Sequence, residues 1–303
     1  MGLITTFVLL ILGQAAPATP GPVAVALVRG DRTLQPLARL DGDAWSDLPP
    51  AAAAAGPWSL WLFDDPVVKA SPFTPRTPRA VTAAAASGAA TGCLAVSGLA
   101  PEVTPGVAAT AAVGVALTGT DVRPELPTDV PVDSELGRSL GARAALAFHR
   151  AEDDTLTLEA EELPAGFPKF AARRERPVTW TRIVRQGFAQ GPSKAYYLEG
   201  RKDYDGFTGR TDIGRIRTTG HVFVRVVPGR ETVDAEVDLS DVDGKQSIFR
   251  TPLAIVAWPE RAIWVFSVRA LDGTHLEMME LVPGSSRPRT VWQGTDGCTR
   301  STR

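Results

Sequence analysis

The densest set of reactive side chains lies in one short segment, Tyr196-Tyr197-Leu198-Glu199-Gly200-Arg201-Lys202-Asp203-Tyr204. Period-two alternation puts Tyr197, Glu199, Arg201 and Asp203 on one face of a strand. Aromatic, acid and guanidinium together suit a sugar- or peptide-binding surface. Glu199 and Asp203 are four residues apart, about 13 Å in a strand at ~3.3 Å per residue. A carboxylate pair acting on one glycosidic bond needs about 5–9.5 Å, so these two alone make no glycosidase. The plainer reading is a solvated face with a Glu199–Arg201–Asp203 charge ladder.

A second constellation comes from register. With Pro228-Gly229 as a two-residue loop, Val227 faces Arg230, Val224 faces Val233 and Val222 faces Ala235. On the other face His221 then opposes Glu236, and Phe223 opposes Asp234. A His beside a carboxylate is a candidate general base held in one tautomer. The preferred reading is simpler: Thr232, Asp234, Glu236 and Asp238 alternate as an outer polar face.

The third candidate is Glu277. With Asp272-Gly273 as the loop, Leu271 faces Thr274, His275 faces Ala270 and Glu277 faces Val268. Trp264, Phe266, Met279 and Leu281 share the face of Glu277. Ile263, Val265, Leu276, Met278 and Val282 fill the other face. Both faces are apolar, as in a strand covered on both sides. Desolvation there raises a carboxyl pKa, which makes Glu277 a candidate acid. The commoner alternative is a structural pair with Arg269 or another Arg.

Other signals are weaker. Asp238, Asp241, Asp243 and Gly244 suggest a calcium loop, but alignment puts Leu239 and Arg250 at the first and twelfth positions, which need acids. The segment is read as an acidic turn. Arg29-Gly30-Asp31 matches an adhesion tripeptide, and turn chemistry accounts for it. Trp45, with Trp58 and Trp61, is a candidate carbohydrate platform; such Trp residues are more often core. The chain lacks G-x-S-x-G, H-E-x-x-H, a P-loop, G-x-G-x-x-G and C-x-x-C. Its only histidines are His149, His221 and His275. No metal and no cofactor are expected.

The elements that must position these residues are mostly strands. Val23 to Val28 and Thr33 to Leu40 flank a turn; Trp58 to Phe63, Cys93 to Ser97 and Val113 to Thr118 are short and β-like. Ala195 to Tyr204, Val222 to Val227, Thr232 to Leu239, Pro252 to Trp258, Ala262 to Ala270 and Thr274 to Val282 follow. Strands in series joined by tight turns predict a mainly β fold of antiparallel hairpins and meanders, a sandwich or partial barrel, with little helix. Residues 144–150 and 155–160 suggest a further hairpin; residues 133–149 alternatively start a helix bearing Leu136, Leu140 and Ala144 on one face, weakened by Gly137 and Gly141. Pro- and Ala-rich stretches at 71–90 and 119–134 read as loops or extended connections, and residues 293–303 as a disordered tail. A break at 163–177 divides two β-rich domains, 19–165 and 175–303.

Residues 1–18 carry an apolar run, Leu3 to Leu12, and a small-residue site ending at Ala18, as in a secretory signal peptide. The run is too short for a bilayer core, which needs about 20 residues. An exported protein, periplasmic or extracellular, with no membrane attachment after cleavage is expected. In an oxidising compartment Cys93 and Cys298 pair only with each other, or remain apart as a buried and a tail thiol. A net charge of −2 and only five lysines disfavour nucleic acid as a partner. Two function classes stay open. The first is a non-catalytic binding or structural module for a glycan or an extracytoplasmic protein. The second is an exported hydrolase using Glu277 or Glu199, with His221 and Glu236 as further candidates. An inhibitor or assembly factor is a third reading.

Overall fold

Alternating apolar residues along most of the chain become strands because each buries one face, or both, against a neighbouring sheet. The structure is a computed structural model. It describes residues 23–30, 33–53, 57–62, 79–85, 94–96, 112–118, 123–125, 127–158, 170–187, 194–204, 216–227, 229–241, 248–258, 261–270, 273–281 and 288–296. Residues 1–18, Cys93, Cys298 and Asp243-Gly244 lie outside these.

The first half contains β1 (Val23–Arg29), β2 (Thr33–Asp41), β3 (Ala44–Asp47), a single helical turn α1 (Pro50–Ala53), β4 (Pro57–Leu62), β5 (Arg79–Ala85), β6 (Leu94–Val96) and β7 (Ala112–Leu117). Two short strands follow, β8 (Arg123–Glu125) and β9 (Thr128–Asp129), then the helices α2 (Glu135–Leu158) and α3 (Phe170–Glu175). The second half contains β10 (Thr179–Gly187), β11 (Lys194–Asp203), β12 (Ile216–Val227), β13 (Arg230–Asp241), β14 (Phe249–Trp258), β15 (Arg261–Ala270), β16 (Gly273–Leu281) and β17 (Arg289–Thr295).

These strands form three antiparallel sheets. Sheet I has the order β1-β7-β4-β5-β6-β2-β3, with β1 also paired to β2. Sheet II has the order β17-β16-β15-β14-β8, and sheet III the order β13-β12-β11-β10-β9. Sheet II lies in the middle. Ile263, Val265, Leu276 and Met278 pack with Val25, Leu27, Leu37 and Val115 of sheet I. From its other face Trp264, Phe266 and Met279 pack with Val184, Tyr197 and Phe223 of sheet III. Leu140, Ala144 and Phe148 of α2 then cover the outer face of sheet III over Ile183, Leu198 and Val222. The order of layers is sheet I, sheet II, sheet III, helix.

The β12–β13 register agrees with expectation throughout: Val227 pairs Arg230, Val224 pairs Val233 and His221 pairs Glu236. Gly229, with φ +75°, adopts the backbone its turn requires. The β15–β16 register differs. Ala270 pairs Gly273, and Phe266 rather than Val268 faces Glu277. Gly273, at φ +134°, occupies the first ladder position instead of the loop. The displacement is two residues, so every side chain keeps its expected face.

Three other expectations are corrected. Residues 135–158 form one helix, not a hairpin. Ser134 caps it, its hydroxyl accepting from the Gly137 amide at 3.0 Å. Leu140, Ala144, Phe148, Glu152 and Leu156 then recur at helical spacing as the buried stripe. The Thr-Leu alternation at 155–158 had imitated a strand. Gly141 is small for a reason: a Cβ there would meet the Trp180 ring at 2.6 Å. Within the stretch 71–90, β5 runs over Arg79–Ala85 and pairs both β4 and β6. The expected disordered tail begins too early, since Gln293, Gly294 and Thr295 pair β16. Among the described residues no helix is long and apolar enough to cross a membrane.

Candidate functional site

The site grows from the face of sheet III that looks toward sheet II. Along β11 and β12 this face starts apolar, with Tyr197 and Phe223 packed on Trp264 and Phe266 (ring centroids 5.2–6.3 Å apart). One row further it becomes ionisable. Arg182, Glu199, His221 and Glu236 stand opposite one another across β10, β11, β12 and β13. The next row pairs Arg201 with Thr219, and the last pairs Asp203 with Arg217. The start of β14 closes the far side. The result is a cleft of about 260 Å³ lined by Tyr197, Glu199, Arg201, Thr219, Phe249 and Arg250, among others. Glu199 and Thr181 also line an adjoining groove of about 440 Å³ with Asp129 and Arg182.

The arginines of the cleft are occupied. Arg250 Nε donates to Glu277 at 2.9 Å, and Arg217 Nε donates to Asp203 at 2.7 Å. Arg201 lies 3.3 Å from the other Asp203 oxygen. Glu277 also accepts from Thr290 at 2.6 Å. Burial alone would raise its pKa, but Arg250 and Thr290 outweigh burial and hold it below the usual carboxylate value. The expected neutral acid at Glu277 is therefore replaced by a structural ion pair.

His221 is occupied at both nitrogens. Its Nδ1 lies 3.3 Å from Arg250 NH1, and its Nε2 lies 3.2 Å from Glu236. A guanidinium only donates, so Nδ1 accepts and Nε2–H donates. Burial, aided by Arg250, lowers the His221 pKa and keeps the ring neutral. The Nε2–H bond to Glu236 holds that carboxyl down at about 2.

Glu199 is different. Among the described residues it forms no ion pair, because Arg182, its register partner, turns to Asp129 at 3.0 Å. Burial raises its pKa, with Arg182 and a hydrogen bond with Tyr197 opposing and Asp129 adding to the rise. Thr219 is 8% exposed, and its hydroxyl has no hydrogen-bond partner among the described residues. Arg201, directly across the ladder, has its Nε committed to Asp203 at 3.3 Å.

Of the residues singled out from sequence, Tyr197, Glu199, Arg201 and His221 meet in the cleft, and Asp203 and Glu236 anchor it. Glu277 acts behind Arg250. Trp45 is elsewhere, half-buried against the sheet I–sheet II core with its indole N–H directed at Glu280 (3.4 Å). Arg29 is 2% exposed and donates to Asp296 at 2.6 Å, so it is not displayed as part of an adhesion tripeptide. Sequence reasoning missed Arg217, Thr219, Phe249 and Arg250. The first two were accessible: they precede His221 at two-residue steps along a strand whose register was already in hand. Arg250 enters from another sheet, and no local pattern announces it. Among the described residues no cluster of His, Cys, Asp and Glu is arranged to hold a metal ion.

Compared with known proteins, the chain matches no family model, no curated protein and no solved structure.

Proposed function

We propose that this is an exported, non-catalytic binding module whose ligand, a glycan or an extracytoplasmic protein, seats in the cleft between sheets II and III. The observation that carries the reading is the division of labour inside the cleft. Of the four candidates for a base or nucleophile, three are engaged: His221 at both nitrogens, Glu236 by His221, and Glu277 by Arg250 and Thr290. The groups left toward the cleft, Glu199 and the Thr219 hydroxyl, hydrogen-bond but do not form a relay. Export rests on the apolar run and small-residue site of residues 1–18.

The test has two parts. N-terminal sequencing of protein secreted from a host is expected to begin after Ala18. Amide chemical-shift mapping against a saccharide and peptide library is expected to place perturbations at Thr181, Glu199 and Thr219, with the ligand recovered unchanged. Perturbations confined to other surfaces would refute the site.

One observation favours a second reading. Glu199 is raised while Glu236 is held at about 2, and such a split is how an acid and a carboxylate are assigned in hydrolases. The two stand two strands apart, about 10 Å between backbones. Ligand turnover abolished by Glu199→Gln in a folded protein would move this reading ahead.

A further inference from the structure

The proposed cleft also carries information about what kind of molecule fits it, and this step rests on the binding reading above. Charge is the first discriminant. An anionic ligand needs free cations, yet Arg250, Arg217 and Arg201 are each paired with a carboxylate. Taking Arg250 means breaking its pair with Glu277, which is almost wholly removed from water, and that is costly. Asp203 and Glu277 are committed in the same pairs, so a cationic ligand would find Glu199 as its counter-charge with Arg182 standing beside it.

Two polar groups of the cleft keep capacity for a ligand. The Glu199 carboxyl accepts from the Tyr197 hydroxyl and forms no ion pair among the described residues, so lone pairs remain. The Thr219 hydroxyl is buried without a hydrogen-bond partner among the described residues, which is uncommon and costly. The two line one cleft on adjacent strands, Glu199 opposite His221 and Thr219 opposite Arg201. A hydroxyl group answers both demands, since it donates to a carboxylate while accepting from another hydroxyl. Beside this set Phe249 keeps 39% of its surface exposed and lines the same cleft. An apolar ring next to polar side chains suits the C–H face of a sugar.

We infer that the cleft recognises an uncharged, hydroxyl-rich ligand, a neutral sugar residue of a glycan, through Glu199 and Thr219, with Phe249 as its apolar face.

The experiment titrates the full chain with three probe sets by calorimetry. They are neutral tetrasaccharides of glucose, galactose, mannose and xylose, an oligogalacturonate, and an oligolysine. The expected result is binding of at least one neutral tetrasaccharide and neither charged probe. Glu199→Gln is expected to weaken it about tenfold or more, as for loss of a hydrogen bond to a charged group. Thr219→Val, nearly equal in volume, and Phe249→Ala, at an exposed position, are each expected to weaken it severalfold with melting temperature retained. If a charged probe binds instead, with the same dependence on Glu199, the cleft reading survives and the neutral-sugar inference is overturned. If no probe binds, the neutral-sugar inference is overturned; if a probe binds but ignores all three variants, the cleft reading falls with it.

Discussion

Arg250 presents one guanidinium nitrogen to Nδ1 of His221 at 3.3 Å while its Nε holds Glu277 at 2.9 Å. One side chain from sheet II thereby sets the tautomer of a histidine on sheet III and the charge of a carboxylate on its own sheet. The cleft is shaped by this bridge, and its consequences are measurable.

The first concerns pH. Burial lowers the His221 pKa below its ordinary 6.5, so the unfolded chain binds the proton more readily. The stability that this group contributes is complete above about 6.5 and declines as pH falls below it. The Glu236 carboxyl, at about 2 instead of 4.5, adds stability above 4.5 that is lost as pH falls through about 2. Denaturant unfolding of wild type against His221→Gln at pH 7.5, 6 and 5 checks the histidine part. The stability difference between them is expected to shrink with acid; a constant difference would show that His221 does not carry the effect.

A second prediction lies on the other face of sheet III. Glu152 of α2, 1% exposed, accepts from Lys202, Tyr204, Thr218 and Arg173, and Lys202 is itself 1% exposed. Removing one partner leaves a buried charge without its counterpart. Lys202→Met or Glu152→Gln is expected to cost about 3–5 kcal/mol, and the double variant less than the sum of the two. A fully additive result in urea unfolding would mean that the two groups do not act as a pair.

The third concerns close packing. A Cβ at Gly220 would meet the Glu236 carbonyl oxygen and Val237 Cγ1, each at 2.6 Å. Gly220→Ala is expected to destabilise by about 1–3 kcal/mol. Gly141→Ala is the sharper test. In an open helix that change stabilises by about 1 kcal/mol, but here it drives a methyl into Trp180. A lowered melting temperature is expected, and a raised one would show that Trp180 yields.

The fourth separates structure from recognition. Glu277→Gln removes the charge opposite Arg250 and is expected to lower stability by roughly 3 kcal/mol. Saccharide affinity should change far less than in Glu199→Gln. Equal losses of affinity in the two variants would place Glu277 in the ligand's own contacts.

The legible part of this protein was whatever depends on local pattern. The Pro228-Gly229 turn yields the whole β12–β13 ladder, and the two apolar faces of β15 and β16 disclose a sheet covered on both sides. What escaped were partners chosen at long range. Glu277 was visible as a buried acid, but Arg250 reaches it from β14 across 27 residues of sequence. Glu152 reads as one more helical acid until four partners, from α3, β11, the residue just past β11 and β12, surround it. Helix α2 was obscured by Gly137 and Gly141, whose cost in propensity is a concession to the chain and ring that press against them.

The layer order bears on how the chain reaches its native state. Sheet II lies at the centre of the stack, yet four of its five strands, β14 to β17, are the last encoded, after all of sheets I and III. During synthesis the two outer slabs emerge first, each with an apolar face awaiting a companion that the ribosome has not yet produced. Premature association of those faces would exclude the filling from its slot. Assembly of this molecule is therefore a problem of timing, in which the earlier slabs must be kept apart until roughly the last fifth of the chain slides between them.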